Sequence, residues 1–213
     1  MTKIEELVFK YGGSPLATKI SSETNDLIAM NHAKALRDFL RQKNGFYAFE
    51  SALHVFPLSE NDGMDILRWN SASLWKETFK TRRLMEVLFF AENIFGEQFC
   101  LRGEGVGRFD PETGEIESIA DSLEGWAKAL LDEPDFFVGH SLAHEWQGKN
   151  GSLKPGCRLV PKKPFILGGD LTISNLAEID AVKGMRFRGE LATKLLELPD
   201  GSTIRLEMNG EKL

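Results

Sequence analysis

The run from Val87 to Leu131 constrains the fold more than any other part of the chain. It opens on five consecutive apolar residues, Val87-Leu88-Phe89-Phe90-Ala91, passes through Phe99 to Leu101 and the turn RFDPETGE, and ends in an amphipathic stretch. An apolar run without alternation is the pattern of a strand covered on both faces, because each side chain then faces protein. Phe99, Leu101, Val106 and Phe109 supply the inner face of two further strands, with Gly103-Glu104-Gly105 turning between them. Asp110-Pro111-Glu112-Thr113-Gly114 is a hairpin signal: proline fixes φ at the first central position and glycine accepts a positive φ at the exit. Ile116 and Ile119 complete another strand. Leu123, Trp126, Ala127, Leu130 and Leu131 then recur with helical period, so a helix opens at Asp121 with Glu124 as its capping-box partner and stops before Pro134. The block predicts a three- or four-stranded antiparallel meander with a helix laid across one face.

The flanks are read in the same way. Asp26 to Lys43 predicts a helix capped by Asp26 and terminated near Gly45. GFYAFESALHVFP, from Gly45 to Pro57, predicts two short aromatic-rich strands joined through Glu50-Ser51. Met64 to Phe79 predicts a helix carrying Leu67, Trp69, Leu74 and Trp75, and Phe136 to Lys149 another with Leu142, Ala143 and Trp146 inside. Lys149 to Lys163, rich in Gly, Pro and Lys, predicts a loop, followed by a strand with a bulge at Gly168-Gly169. Val182 to Leu196 predicts a helix despite Gly184 and Gly189, each of which weakens it by roughly 1 kcal/mol. Ile204, Leu206 and Met208 alternate as a final strand. The organisation is one domain over residues 1–213, with a C-terminal subdomain from about residue 150 as the alternative.

Charge adds a second constraint. The chain carries a net −6, yet Glu104 to Asp135 alone holds ten acidic residues against Arg108 and Lys128, a net −8. Such a surface repels nucleic acid and attracts basic partners. Fifteen Phe and four Trp against two Tyr point to a core filled by aromatic rings. Two cysteines, Cys100 and Cys157, are too few for a disulfide framework and read as reduced and structural. The N-terminal MTKIEELVFKYGG has no apolar signal region, and no uncharged run reaches the roughly 18 residues of a membrane span, so a cytoplasmic location is expected.

Constellations for chemistry are sparse. His140 and His144 lie one helical turn apart, the spacing of zinc-protease imidazoles, but Ser141 occupies the slot in which those enzymes carry glutamate and Glu145 falls beyond the pair. His32 and His54 stand alone. Arg102-Gly-Glu-Gly-Val-Gly-Arg108 has phosphate-loop glycines without the Lys-Ser/Thr and is read as a hairpin turn. Asp110, Glu112, Glu115 and Glu117 spread across an exposed hairpin with no apolar pocket evident to shift a pKa, so they read as solvated charges.

In order along the chain, FFAENIFGEQFCL, RFDPETGEIESIADSLEGWAKALLDEPDF, SLAHEWQ, RLVPKKPFILGG and GMRFRGELATKLLELPDGSTIRLEM resemble bacterial members of the SUKH superfamily, which contains Syd-like proteins and relatives of a yeast cell-wall assembly regulator. The likeness spans roughly Leu88 to Met208; residues 1 to about 60 match less clearly, though a helix followed by GFYAF is compatible with it. The resemblance implies an α+β fold with a central mixed, largely antiparallel sheet flanked by helices, and a non-enzymatic role as an immunity protein that neutralises a cognate toxin, often a nuclease. It transfers no catalytic residue and implies no cofactor and no metal. The expected partner is a basic toxin protein, not nucleic acid or membrane, with Asp110, Glu112, Glu115 and Glu117 as candidate contacts. Two alternatives stay open: a housekeeping scaffold on the same fold, and a metal-dependent hydrolase using His140, His144 and Glu145.

Overall fold

The computed structural model describes residues 1–21, 33–59, 63–103 and 105–199. Its centre is a six-stranded sheet in which order in space follows order in the chain: β1 (Phe46–Ala48), β2 (Leu53–Val55), β3 (Leu88–Asn93), β4 (Gln98–Arg102), β5 (Gly105–Phe109) and β6 (Ile116–Ala120). Every pairing is antiparallel. The α+β class therefore stands, and the sheet keeps its antiparallel character without a parallel strand among the described residues. The meander predicted from Val87 onwards is its larger half. The two aromatic strands expected over Gly45 to Pro57 form a hairpin at Phe46–Val55 that joins it, so that the meander of three or four strands becomes part of a sheet of six.

β3 is buried at all six positions, and its two neighbouring phenylalanines explain why. Phe89 packs against Trp75 at 5.2 Å between ring centroids, and Phe90 meets Trp126 at 5.1 Å. The sheet thus has a core on each side. Trp126 comes from α4 (Leu123–Asp132) and also contacts Phe39 of α2 (Lys34–Gln42) and Phe99 of β4. On the other side Trp75, Phe79 and Phe109 form a second aromatic cluster. α1 (Lys3–Glu6), which continues as a π-turn through Tyr11, lies against α4, where the Glu124 carboxylate accepts from the Lys3 and Ile4 amides at 2.5 and 3.2 Å.

Several predicted elements change for identifiable reasons. Of the helix expected over Asp26 to Lys43, Lys34–Gln42 is present, while Asp26 and His32 lie outside the described residues. Gly45 has φ +69. The helix expected over Met64 to Phe79 shrinks to α3 (Ile66–Trp69), capped by Asp65, and a 3-10 turn at Lys76–Phe79. Asn70 ends α3: its amide donates to Ile66 O and Phe89 O and accepts from Phe89 N, which ties the chain to β3 instead of letting it coil onward. α4 is capped by Ser122, whose hydroxyl accepts from Gly125 N at 3.1 Å, one residue later than the Asp121 cap expected.

The stretch from Phe136 to Lys149 is two helices, α5 (Pro134–Val138) and α6 (His140–Asn150), broken at Gly139 with φ +70. A Cβ there would lie 2.6 Å from the Phe95 ring and 2.8 Å from Ile94, so the chain passes only as glycine. The predicted loop at Lys149 to Lys163 contains β7 (Cys157–Pro161), and Phe165–Leu167 is a 3-10 turn where a strand was expected. β7 pairs with β8 (Leu176–Asp180), which leads into α7 (Ala181–Leu196). This C-terminal unit is bonded to the sheet: Leu159 N donates to Ile94 O at 2.8 Å and Arg188 Nη1 to Phe95 O at 2.5 Å. Gly184 and Gly189 allow that docking, since a Cβ at 189 would run into the Thr78 hydroxyl and approach the Phe79 ring to 2.8 Å. The strand predicted at Ile204 to Met208 lies outside the described residues. No helix among the described residues is long and apolar enough to cross a membrane.

Candidate functional site

The four carboxylates singled out in the sequence lie in and after the β5–β6 turn, and they have different fates. Asp110 is committed to the turn: its Oδ1 accepts from Glu112 N at 2.8 Å and its Oδ2 from the Thr113 hydroxyl at 3.1 Å. Gly114 closes the turn with φ +76. Glu112 is 5% exposed, and its Oε2 accepts from Ile166 N at 2.8 Å while Oε1 has no hydrogen-bond partner among the described residues. Burial raises its pKa above the ordinary carboxylate value. The reading of Glu112 as a solvated surface charge is therefore corrected: the 3-10 turn at Phe165 covers it. Glu117 is paired with Arg108 across the hairpin, and Arg108 also lies 5.0 Å over the exposed Phe136 ring. Glu115 is the freest, with its side chain 78% exposed and Arg83 at 3.8 Å.

β6 is an edge strand. It pairs with β5 on one side and with no strand on the other among the described residues, and Glu117 and Ser118 on it are exposed. Asp121 is exposed just beyond its end. Other acids of the segment have local partners: Asp132 pairs with Lys128, and Asp135 Oδ1 accepts from Ser141 N at 2.7 Å, which lowers its pKa.

The histidine pair on α6 is tied to a carboxylate that sequence spacing did not bring forward. Glu50 Oε2 lies 2.9 Å from His144 Nδ1 and Oε1 lies 3.5 Å from His140 Nε2, whereas Glu145 pairs with Lys149 at 3.1 Å. Glu50 sits in the β1–β2 turn, where Phe49, Glu50 and Ser51 all take positive φ. No group of three or more His, Cys, Asp or Glu side chains among the described residues is placed to hold a metal ion. Cys100 is buried, and burial pushes its thiol up to about 12, well away from nucleophilic use at neutral pH.

The most developed polar assembly crosses the sheet at its other end. Tyr47, His54, Glu92 and Gln98 are successive cross-strand partners on β1, β2, β3 and β4. Tyr47 stacks on His54 at 4.4 Å. His54 Nδ1 lies 3.0 Å from Glu92 Oε1, and Gln98 Nε2 donates to Glu92 Oε2 at 3.1 Å while its own oxygen accepts from Trp69 Nε1 at 2.8 Å. Arg158, from β7, places Nε 2.8 Å from Glu92 Oε1, although that N–H is not aligned for a hydrogen bond. Burial alone would raise the Glu92 pKa, but Arg158 and His54 outweigh it and hold it at about 2; burial dominates at His54 and lowers its pKa. This row borders a pocket of about 380 Å³ lined by Tyr47, His54, Phe56, Met64, Trp69 and Val182 among others. His54, taken alone in the sequence, hid this because its partner is nearly forty residues away. The available signal was Glu92, a charge at the end of a strand otherwise read as buried on both faces.

No family model and no curated protein sequence matches the chain. Among solved structures it is similar to a protein described as "Crystal structure of Atu4351 from Agrobacterium tumefaciens", with a TM-score of 0.62, 15% sequence identity, and coverage of 87% of this chain and 88% of that one. At that identity the likeness concerns the fold alone.

Proposed function

We propose that the chain is a cytoplasmic binding protein of the SUKH immunity type, which neutralises a basic toxin protein by docking it on the acidic edge of the sheet. The observation that carries this reading is β6: an edge strand with no strand on its outer side among the described residues, carrying exposed Glu117 and flanked by exposed Glu115 and Asp121, in the segment where ten acids face two basic residues. An edge strand offers unpaired backbone donors and acceptors to an incoming strand, and acidic side chains around it select against acidic partners and steer cationic ones. The contact set is narrower than sequence spacing suggested. Glu112 is buried, and Asp110 acts through the shape of the turn.

The test pairs affinity capture of the neighbouring gene product with rescue of its toxicity. Glu115→Lys with Asp121→Lys reverses charge at two exposed positions whose local contacts are Arg83 at 3.8 Å and the Ser122 hydroxyl at 3.1 Å, so circular dichroism first checks that the double variant is folded. Surface pairs contribute about 0.2–1 kcal/mol each, so the double variant is expected to weaken capture about tenfold, mainly through a slower association rate, and to flatten its salt dependence. Unchanged affinity and salt response in the folded double variant would refute this docking face. Capture without any rescue would favour a housekeeping scaffold over an immunity protein.

A further inference from the structure

The pocket beside β1 and β2 lies at the opposite end of the sheet from β6, and the docking proposal makes no use of it. Its volume of about 380 Å³ falls within the range of ligand pockets, roughly 300–1,000 Å³. Its walls are largely apolar and aromatic, with Leu16, Phe56, Pro57, Met64, Trp69 and Val182 among them.

The polar groups on the walls are mostly engaged already. Trp69 Nε1 donates to Gln98, Tyr47 Oη accepts from Gly156 N at 3.2 Å, and Asp180 Oδ1 accepts from Lys183 N at 2.9 Å as the cap of α7. Glu92 is shared among His54, Gln98 and Arg158. The Ser59 hydroxyl and His54 Nε2 have no hydrogen-bond partner among the described residues, and His54 is itself only 5% exposed.

The protonation of His54 follows from its neighbour. Glu92 stays ionised down to about pH 2, and an ionised carboxylate only accepts hydrogen bonds. His54 Nδ1, 3.0 Å from it, therefore carries the proton and donates. Burial favours the neutral ring, so Nε2 presents a lone pair. Glu92 and Arg158 cancel each other's charge beside the pocket, the Asp180 carboxylate on its wall is committed to capping α7, and no lysine or arginine among the described lining residues is left to compensate a desolvated anionic ligand.

We propose that this pocket binds a small, neutral, largely aromatic molecule bearing one hydroxyl or N–H donor, of the phenol or indole class, with His54 Nε2 as the acceptor that orients it. The acceptor is held in one tautomer by Glu92, stacked on the Tyr47 ring and flanked by the tilted Phe56 ring, each 4.4 Å away. The Trp69 ring, 4.8 Å from Phe56, gives the occupant an aromatic wall.

The test compares two probes of nearly equal shape, 4-methylphenol and 1,4-dimethylbenzene, by titration against the full chain with amide and imidazole nitrogen shifts as readout. The phenol is expected to bind with a Kd of about 1 mM or below, at least about tenfold more tightly than the hydrocarbon, which lacks the donor. Binding should shift the His54 Nε2 resonance. His54→Phe keeps a flat ring and removes the acceptor, so both probes should then bind alike. Met64→Trp, on the pocket wall, should abolish both. Equal binding of the two probes to the native protein, or no binding of either, would overturn the proposal without needing any variant to fold. Neither result bears on β6, because the edge-strand variants leave every pocket residue in place.

Discussion

Lys76 gives the sharpest prediction, because it is a cation where the fold has no counter-charge. Its side chain is 1% exposed, Nζ donates to Val87 O at 2.9 Å and sits 5.0 Å from the Phe89 ring centroid, and no carboxylate pairs with it among the described residues. Burial brings its pKa down from 10.5 to about 7. At about 1.4 kcal/mol per pH unit, that gap amounts to about 5 kcal/mol of folded-state penalty on the charged form. Between pH 7 and 10.5 the unfolded chain holds a proton that the folded chain has released, so stability rises with pH across that window and is lowest below it. Lys76→Met keeps a straight apolar stem and removes the charge. The substitution also deprives Val87 O of its donor, which costs roughly 1–3 kcal/mol, so a net stabilisation of about 2–4 kcal/mol is expected at pH 7. Urea unfolding of both proteins from pH 6 to 9 measures it, and the difference between them isolates this group from others titrating nearby. A wild-type curve parallel to that of the variant, or a variant less stable at pH 7, would refute the reasoning.

Glu92→Gln should lower stability by about 3–5 kcal/mol, because it leaves the Arg158 guanidinium buried without its counter-charge. In the wild type the same pair should fail in acid: the Glu92 pKa is depressed to about 2, so its contribution is complete above 4.5 and declines as pH falls towards 2, visible as an acid limb in thermal melts. Glu112 behaves oppositely. Its pKa is raised by burial, so wild-type stability should fall as pH climbs from 4.5 through the folded value, and Glu112→Gln should flatten that part of the profile. Gly189→Ala should cost about 1–3 kcal/mol despite the better helix former, since the added methyl meets Thr78 and Phe79; a more stable variant in calorimetry would mean that α7 docks elsewhere.

The parts of the fold legible in the sequence are those set by local pattern. The Asp110–Gly114 turn, the α4 stripe of Leu123, Trp126, Ala127 and Leu130, and the doubly covered β3 all follow from residues within a few positions of one another. What was missed depends on distant partners. Asn70 halts α3 by reaching Phe89, Gly139 breaks a helix because Phe95 stands in the way, and β7 emerges from a Gly/Pro/Lys-rich stretch because β8 pairs with it. The candidate site divides in the same way. Spacing found the acidic hairpin but could not show that Ile166 covers Glu112, and it left His54 without Glu92 and Arg158.

The sheet order has a consequence for how the protein is made. Each strand of the large sheet hydrogen-bonds to its predecessor in the chain, so the layer can grow during synthesis by successive pairings, through short connections except between β2 and β3, where α3 and the 3-10 turn at Lys76–Phe79 intervene. A further exception is electrostatic. Glu92 enters the layer with β3, but its guanidinium partner arrives only with β7, after the remaining strands and three helices have been translated. Until then Glu92 lacks the charge that holds it ionised when buried, so the polar row across the sheet is complete only once the last third of the chain has docked.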